Sequence, residues 1–274
     1  MFSRHDSSAS KCSTAEAPAR AFDAVVFDMD GVVTRTAEVH ALAWRRMFDA
    51  FLARRAEESG EALRPFEYPA DYLAFIDGRP RYEGVAAFLA SRNISLPPGT
   101  PDDAPGDVSV AALGNRKNTL FNEIVDAEGV GVFESTLAFI AALKAEGIRI
   151  GLATSSRNSA RVLASSGTAE LFETVVDGLV SARLGLKGKP EPDIFTTACA
   201  QLGSTPARTV VVEDAVTGVQ AGRRGGFAFT LGLARKNNAA ALRKHGADLV
   251  LDDLEGFKLR DLYGLVLARR ELQP

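Results

Sequence analysis

Two cysteines, Cys12 and Cys199, are the only thiols in a chain of 274 residues. They are too few and too far apart for a disulfide framework or a structural zinc site, and their scarcity fits a reducing, cytoplasmic setting. No apolar run approaches the ~20 residues that would span a bilayer. Positive charge is not in excess either: 32 Lys and Arg stand against 35 Asp and Glu, a net charge of −3, with the signs mixed along the chain. That balance excludes a basic face for nucleic acid and a polybasic segment for an anionic membrane. The first twenty residues, rich in Ser and Ala with Arg4, Lys11 and Arg20, lack the apolar centre of a secretory signal. A flexible tail is expected over residues 1–20. What the chain does have is 46% hydrophobic residues, enough for a full core and a second, smaller domain.

A buried strand is expected over residues 22–27, and helical patterning begins near Thr36. His40, Trp44, Met47, Phe48 and Phe51 recur at spacings of three and four, on one face of a long helix over residues 37–58. Pro65, Pro69 and Gly78 break the pattern, leaving shorter helices at 70–76 and 82–91. A Pro/Gly/Asp-rich stretch follows at 96–106, then a helix marked by Leu113, Leu120, Phe121 and Ile124. No strand pattern lies between Thr36 and Gly131, so residues 36–131 read as an all-helical insert.

Beyond Gly131 helices alternate with short apolar strands. Helices are expected at 136–146, 159–166, 192–202 and 215–224, and strands at 148–153, 174–176, 209–212, 227–231 and 248–251. That alternation predicts an α/β protein: a Rossmann-like, doubly wound parallel sheet covered on both faces, with the helical insert after its first strand. The expected division is a core of residues 21–35 and 132–274 and a cap of residues 36–131. Ligands of such sheets bind beyond the carboxyl ends of the strands.

The polar clusters lie at those ends. Val25-Val26-Phe27 runs straight into Asp28-Met29-Asp30-Gly31. Two carboxylates at i and i+2 project to one side, and their charges repel unless a cation or a phosphoryl group sits between them. Calcium loops and simple turns also carry Asp-x-Asp-Gly, so the motif needs companions. Three follow in order: Thr154-Ser155-Ser156-Arg157-Asn158 after the second strand, Gly188-Lys189-Pro190-Glu191-Pro192-Asp193-Ile194-Phe195 before a helix, and Val210-Val211-Val212-Glu213-Asp214. Each has a plainer reading as well: a helix N-cap for Thr154, Ser155 or Asn158, a solvated loop lysine for Lys189, a solvated acidic pair for Glu213 and Asp214.

Together the four resemble the motifs of the haloacid dehalogenase superfamily of phosphoryl-transfer enzymes, over residues 22–254. Asp30 to Trp44 is similar to the corresponding run of the beta-phosphoglucomutase-like subfamily, which also carries a helical cap between its first and second motifs. The resemblance implies Asp28 as nucleophile, giving an aspartyl phosphate, and Asp30 as general acid and base. It implies Thr154, Lys189 and the Ser155 amide around the phosphoryl oxygens. Magnesium (Mg2+) would be held by the Asp28 carboxylate, the Asp30 carbonyl and Asp214, with Glu213 orienting a bound water.

In the cap, the resemblance matches Arg81 and Lys117 to cations that hold the distal phosphate of a sugar bisphosphate, and His40 and Trp44 to hinge and sugar-facing positions. Asn158 belongs to the same substrate-binding set. Core packing for Trp44 and surface ion pairs for Arg81 and Lys117 are the alternatives. Arg35, where the mutases commonly have Asp, and Asp77, where they commonly have Lys, depart from the pattern, as does Phe133-Glu134-Ser135. The expectation is a magnesium-dependent enzyme acting on a small sugar phosphate, with no nucleic-acid or membrane partner, as a monomer or weak dimer. A sugar-phosphate phosphatase is the alternative, and a non-catalytic phosphate-binding module a more distant one.

Overall fold

The computed structural model describes residues 20–60, 64–76 and 79–272. The expected tail therefore lies outside the described residues except for Arg20, as do Cys12, Asp77 and Gly78.

Six strands form a single sheet: β1 (Ala24–Phe27), β2 (Arg149–Ala153), β3 (Thr174–Val176), β4 (Thr209–Glu213), β5 (Phe229–Leu233) and β6 (Leu249–Leu251). Every pairing is parallel, in the order β3-β2-β1-β4-β5-β6. The chain moves outward from β1 through β2 and β3, then crosses back to β4. The topological switch is at β1, where such sheets open a crevice for a ligand. Phe27 pairs with both Leu152 and Val212, so three strands end level with one another.

The continuous apolar strands follow from burial on both faces. Val25 and Phe27 pack with Ile150, Leu152, Val210 and Val212 against α4 (Glu134–Ala145) and α10 (Leu259–Glu271). Ala24, Val26 and Val211 meet α7 (Asp193–Gln201) through Ile194, Phe195 and Ala198. Around them lie α5 (Ser159–Ser165), α6 (Gly178–Leu184), α8 (Val216–Arg224) and α9 (Ala239–His245). α6, α9 and α10 are absent from the sequence reading because they show little apolar periodicity. α6 buries no residue, α9 only Leu242, and α10 only Leu262 and Val266. β5 starts two residues later than expected, because Phe227 packs its ring on Phe195 at 6.2 Å and lies outside the ladder.

The insert after β1 is helical: α1 (Thr36–Ser59), a π-helical turn (Tyr72–Ile76), α2 (Arg81–Ser91) and α3 (Val110–Glu128). The α1 stripe becomes an aromatic core, with Phe48 5.4 Å from Trp44, 5.3 Å from Phe66 and 4.0 Å from Phe88 between ring centroids. Two linkers join this cap to the sheet and lie side by side. Arg35 N–H donates to Gly131 O at 2.8 Å and Phe133 N–H to Val33 O at 3.0 Å, while Thr34 bridges Val132. Among the described residues, no helix is long and apolar enough to cross a membrane.

Candidate active site

Asp28 continues β1 by one residue, its N–H donating to Val212 O at 2.9 Å. The chain then folds back at once: Val33 and Thr34 N–H both reach Met29 O at 3.0 Å. Gly31 makes this turn with φ +85°, and a Cβ there would lie 2.2 Å from Asp214 Oδ2. Only glycine lets the Asp28–Asp30 loop close against the end of β4.

Lys189 reaches this point from the loop before α7. Its Nζ donates to Asp28 Oδ1 at 2.5 Å and to Glu213 Oε1 at 2.7 Å, with all three side chains buried. Glu213 and Asp214 leave the strand end on opposite sides, as neighbours in a strand must. Glu213 lies under α8, where Gly218 makes room for its carboxylate. Its second oxygen accepts from Ala215 N–H at 2.6 Å. Asp30 turns to Thr36, whose hydroxyl donates to Asp30 Oδ1. Thr154 is buried at the end of β2, and its Oγ1 accepts from Ser156 N–H at 3.1 Å. Ser155 beside it is exposed.

The electrostatics of this half are those of too much negative charge. Burial raises the pKa of Asp28 well above the usual carboxylate range; Lys189 opposes this, and Glu213, Asp30 and Asp214 reinforce it. Burial also raises Asp30, against the Thr36 hydrogen bond and neighbouring lysines. Asp214 is pushed up to about 7, by burial first and Glu213 second. Burial disfavours the Lys189 ammonium, but Asp28 and Glu213 outweigh it and hold the group charged.

A divalent cation fits this deficit. Asp214 Oδ2 is buried without a hydrogen-bond donor, the state of an oxygen set aside for a metal. Of the four residues expected at the metal, Glu213 has both oxygens engaged by Lys189 and Ala215, and Asp30 has its side chain on Thr36. Glu213 thus braces Lys189 here, each of its oxygens accepting one protein donor. The side chains that remain are Asp28 and Asp214. Among the described residues no set of three or more His, Cys, Asp or Glu side chains is grouped for an ion.

The cap brings a different set. Arg81 Nη2 and Asn158 Nδ2 both donate to Asn118 Oδ1 at 2.9 Å, so one amide on α3 links α2 to the loop after β2. Arg157, quoted in the second motif but given no role there, is close enough for its charge to depress the Arg81 pKa, after burial. Lys117 is buried, its Nζ 2.6 Å from His40 Nδ1 and over the rings of Trp44 and Phe121 at 5.2 and 4.8 Å. Burial and Arg81 lower its pKa to about 7, partly opposed by Asp30. Burial, then Lys117, keeps His40 neutral. Among the described residues, Arg81, Arg157 and Lys117 make no ion pair, contrary to the surface-pair alternative. Trp44 is 5% exposed and belongs to the aromatic core under Lys117.

Arg35 braces the linkers: its Nε donates to Val132 O at 3.1 Å and its guanidinium lies 4.7 Å from the Phe133 ring centroid. The sequence reading also left Thr36 and Lys236 without roles. Thr36 carried a signal, a hydroxyl six residues beyond Asp30, whereas Lys236 meets Asp214 only through the fold.

Level strand ends, a buried acid pair beside a lysine and a helical cap over them define an enzyme of phosphoryl transfer, a phosphotransferase or a phosphatase. Residues 22–226 match the model of the haloacid dehalogenase-like hydrolases. The chain is 44% identical to a beta-phosphoglucomutase of Mycobacterium bovis over 84% of this chain and 89% of that one. It is 31% identical to the beta-phosphoglucomutase of Bacillus subtilis over 88% and 93%. A haloacid dehalogenase family hydrolase of Deinococcus radiodurans, solved with bound phosphate and sodium, superposes with TM-score 0.66 at 28% identity, covering 90% of this chain and 98% of that one. The chain belongs to the haloacid dehalogenase superfamily and to its beta-phosphoglucomutase-like group.

Proposed function

We propose that this enzyme is a magnesium-dependent, beta-phosphoglucomutase-like phosphotransferase acting on a small sugar phosphate through an aspartyl phosphate at Asp28. The observation that carries the reading is the cationic cluster of the cap side. Arg81, Arg157 and Lys117 have no carboxylate partner among the described residues, and Arg81 and Asn158 converge on Asn118. A substrate with a second phosphate, distant from the reacting one, supplies the missing charge; a monophosphate hydrolase has less need of it.

The roles divide between a core of residues 21–35 and 132–274 and a cap of residues 36–131. Asp28 attacks phosphorus in line, and Lys189 balances charge on the nucleophile and the transferred oxygens. Thr154 and the Ser155 N–H line the same group. Asp30, held ready by Thr36, protonates the leaving oxygen and then takes the proton of the hydroxyl that attacks the aspartyl phosphate. Burial raises its pKa, the direction that favours the protonated form a general acid needs. Asp28, Asp214 and the Asp30 carbonyl would hold magnesium, which supplies positive charge against the phosphoryl oxygens.

A phosphorus NMR time course tests this with beta-glucose 1-phosphate, magnesium and a trace of the 1,6-bisphosphate. Growth of glucose 6-phosphate is the expected result. Release of inorganic phosphate alone would mean that water reaches the aspartyl phosphate, and that the enzyme is a phosphatase.

A further inference from the structure

We propose that Arg161 is a positioning residue for the cap: paired with Asp126, it fixes α3 along α5 and so places Asn118 and Arg81 opposite Asn158. The inference rests on the reading of Arg81 and Asn158 as phosphate ligands given above. Arg161 stands on α5, in the core, and its Nη1 donates to both carboxylate oxygens of Asp126 on α3, at 2.6 and 2.5 Å. The pair spans the division between cap and core. Asn158, at the N-cap of α5, donates to Asn118 Oδ1 at 2.9 Å, and Ser165, the last residue of α5, donates to Val125 O at 3.2 Å. Asn158, Arg161 and Ser165 fall at i, i+3 and i+7, on one face of the helix. Their partners climb α3 in the same direction, from Asn118 to Val125 and Asp126, so the two helices run side by side and a slide of either breaks the whole seam.

The middle of that face contributes less. Asn122, one turn beyond Asn118 on α3, has a buried Oδ1 with no hydrogen-bond donor. A buried acceptor left unpaired disfavours the packed arrangement, so the seam depends on its ends. The Arg161 end sits beside the hinge, because α3 stops at Gly129, whose φ of +75° opens the return linker. A turn of about 10° there moves Asn118, about 16 Å along the helix, by about 3 Å. A hydrogen bond does not survive such a shift, and Arg81 is bonded to the same Asn118 oxygen. Arg161 pins α3 next to the pivot, where a small slip becomes a large one at the phosphate ligands. The pair itself is 47% and 57% exposed, so it adds little to overall stability. Its effect is on alignment.

Calorimetric titration with glucose 1,6-bisphosphate and magnesium, on the full chain carrying Asp28→Asn to suppress turnover, tests the idea. Arg161→Glu, which faces Asp126 with a like charge, is expected to weaken binding about fivefold, and Asp126→Arg equally. The charge-swapped double variant is expected to bind within about twofold of the parent. With Asp28 restored, acetyl phosphate hydrolysis and the melting temperature should stay at wild-type values for all three. Unchanged binding by the single variants overturns the proposal. So does a double variant that stays weak, because the change is then one of local charge rather than of alignment, and so does an equal loss on acetyl phosphate. Arg161→Gln, expected to weaken binding about twofold, serves if the Glu variant fails to fold. Arg81→Ala separates the two readings. If it binds the bisphosphate like the parent, the phosphate site of the cap is misassigned and the proposal falls with it; if it weakens binding and Arg161→Glu does not, the proposal alone fails.

Discussion

The core and cap halves of the site are built on opposite imbalances. At the strand ends four acids, Asp28, Asp30, Glu213 and Asp214, face one buried ammonium, and burial raises the pKa of three of them. On the cap side Arg81, Lys117 and His40 have pKa values depressed first by burial and then by neighbouring cations, Arg157 for Arg81, Arg81 for Lys117 and Lys117 for His40. Each half lacks what a ligand would bring, a divalent cation in one and a phosphate in the other. The halves also differ in construction. Main-chain bonds at level strand ends hold the acids, whereas long side chains on helices hold the cations. The first half suits bond-breaking, which tolerates little displacement, and the second suits recognition.

The comparison breaks most visibly at Asp28. Asp28→Asn should lower turnover by at least about a thousandfold, yet melt no lower than wild type, since it removes one of several crowded buried charges. Activity and calorimetry on the same sample check both parts, and a large loss of stability would mean that Asp28 is chiefly a structural partner of Lys189. On the cap side, Arg81→Ala should lower kcat/KM for a bisphosphate by about a hundredfold, as the loss of a charge-assisted bidentate contact would. It should leave hydrolysis of a small phosphate such as acetyl phosphate nearly unchanged. Equal loss on both substrates would erase the division of labour.

Lys117 sharpens the comparison through pH. Its folded pKa of about 7 lies below the 10.5 of a free lysine, so the unfolded chain binds more protons between those values. The lysine's contribution to stability therefore rises with pH through that window and is lowest below pH 7. Binding runs the other way: the ammonium is needed for the phosphate, so KM should rise as pH passes through about 7. Lys117→Met should flatten both profiles, read by melting temperature and by KM between pH 6 and 9. The smallest effect is expected at Thr36→Val, about a tenfold fall in kcat from losing the hydroxyl on Asp30, with an unchanged KM for substrate.

Much of this was legible in the chain. Val25 to Asp30 reads as a buried strand running into paired acids because a strand covered on both faces must be apolar throughout, and its end is where polar residues become affordable. The alternation after Gly131 foretold a parallel sheet for the same reason. Residues without periodicity were less legible: α6 and α9 are short and bury almost nothing, so no pattern announced them. Trp44 could be either core or sugar-facing in the sequence, because helical spacing specifies a face without saying what covers it. Arg35, a departure from the subfamily pattern, braces the linkers in a way no motif announced, because the two linkers lie side by side only in the fold.

The sequence by itself determined the order of the strands and of every helix but α6, α9 and α10, and the identity of the acids, lysine and threonine at the strand ends, because those depend on local patterning and chain direction. Only the tertiary structure decided which charges meet. Glu213 braces Lys189 while its neighbour Asp214 keeps an open oxygen. Lys117 is buried against a histidine with no ion-pair partner among the described residues, and Lys236 stands over Asp214 from a loop 22 residues further on. Burial and pairing are properties of the packed chain, and they set the protonation and metal affinity on which the chemistry depends.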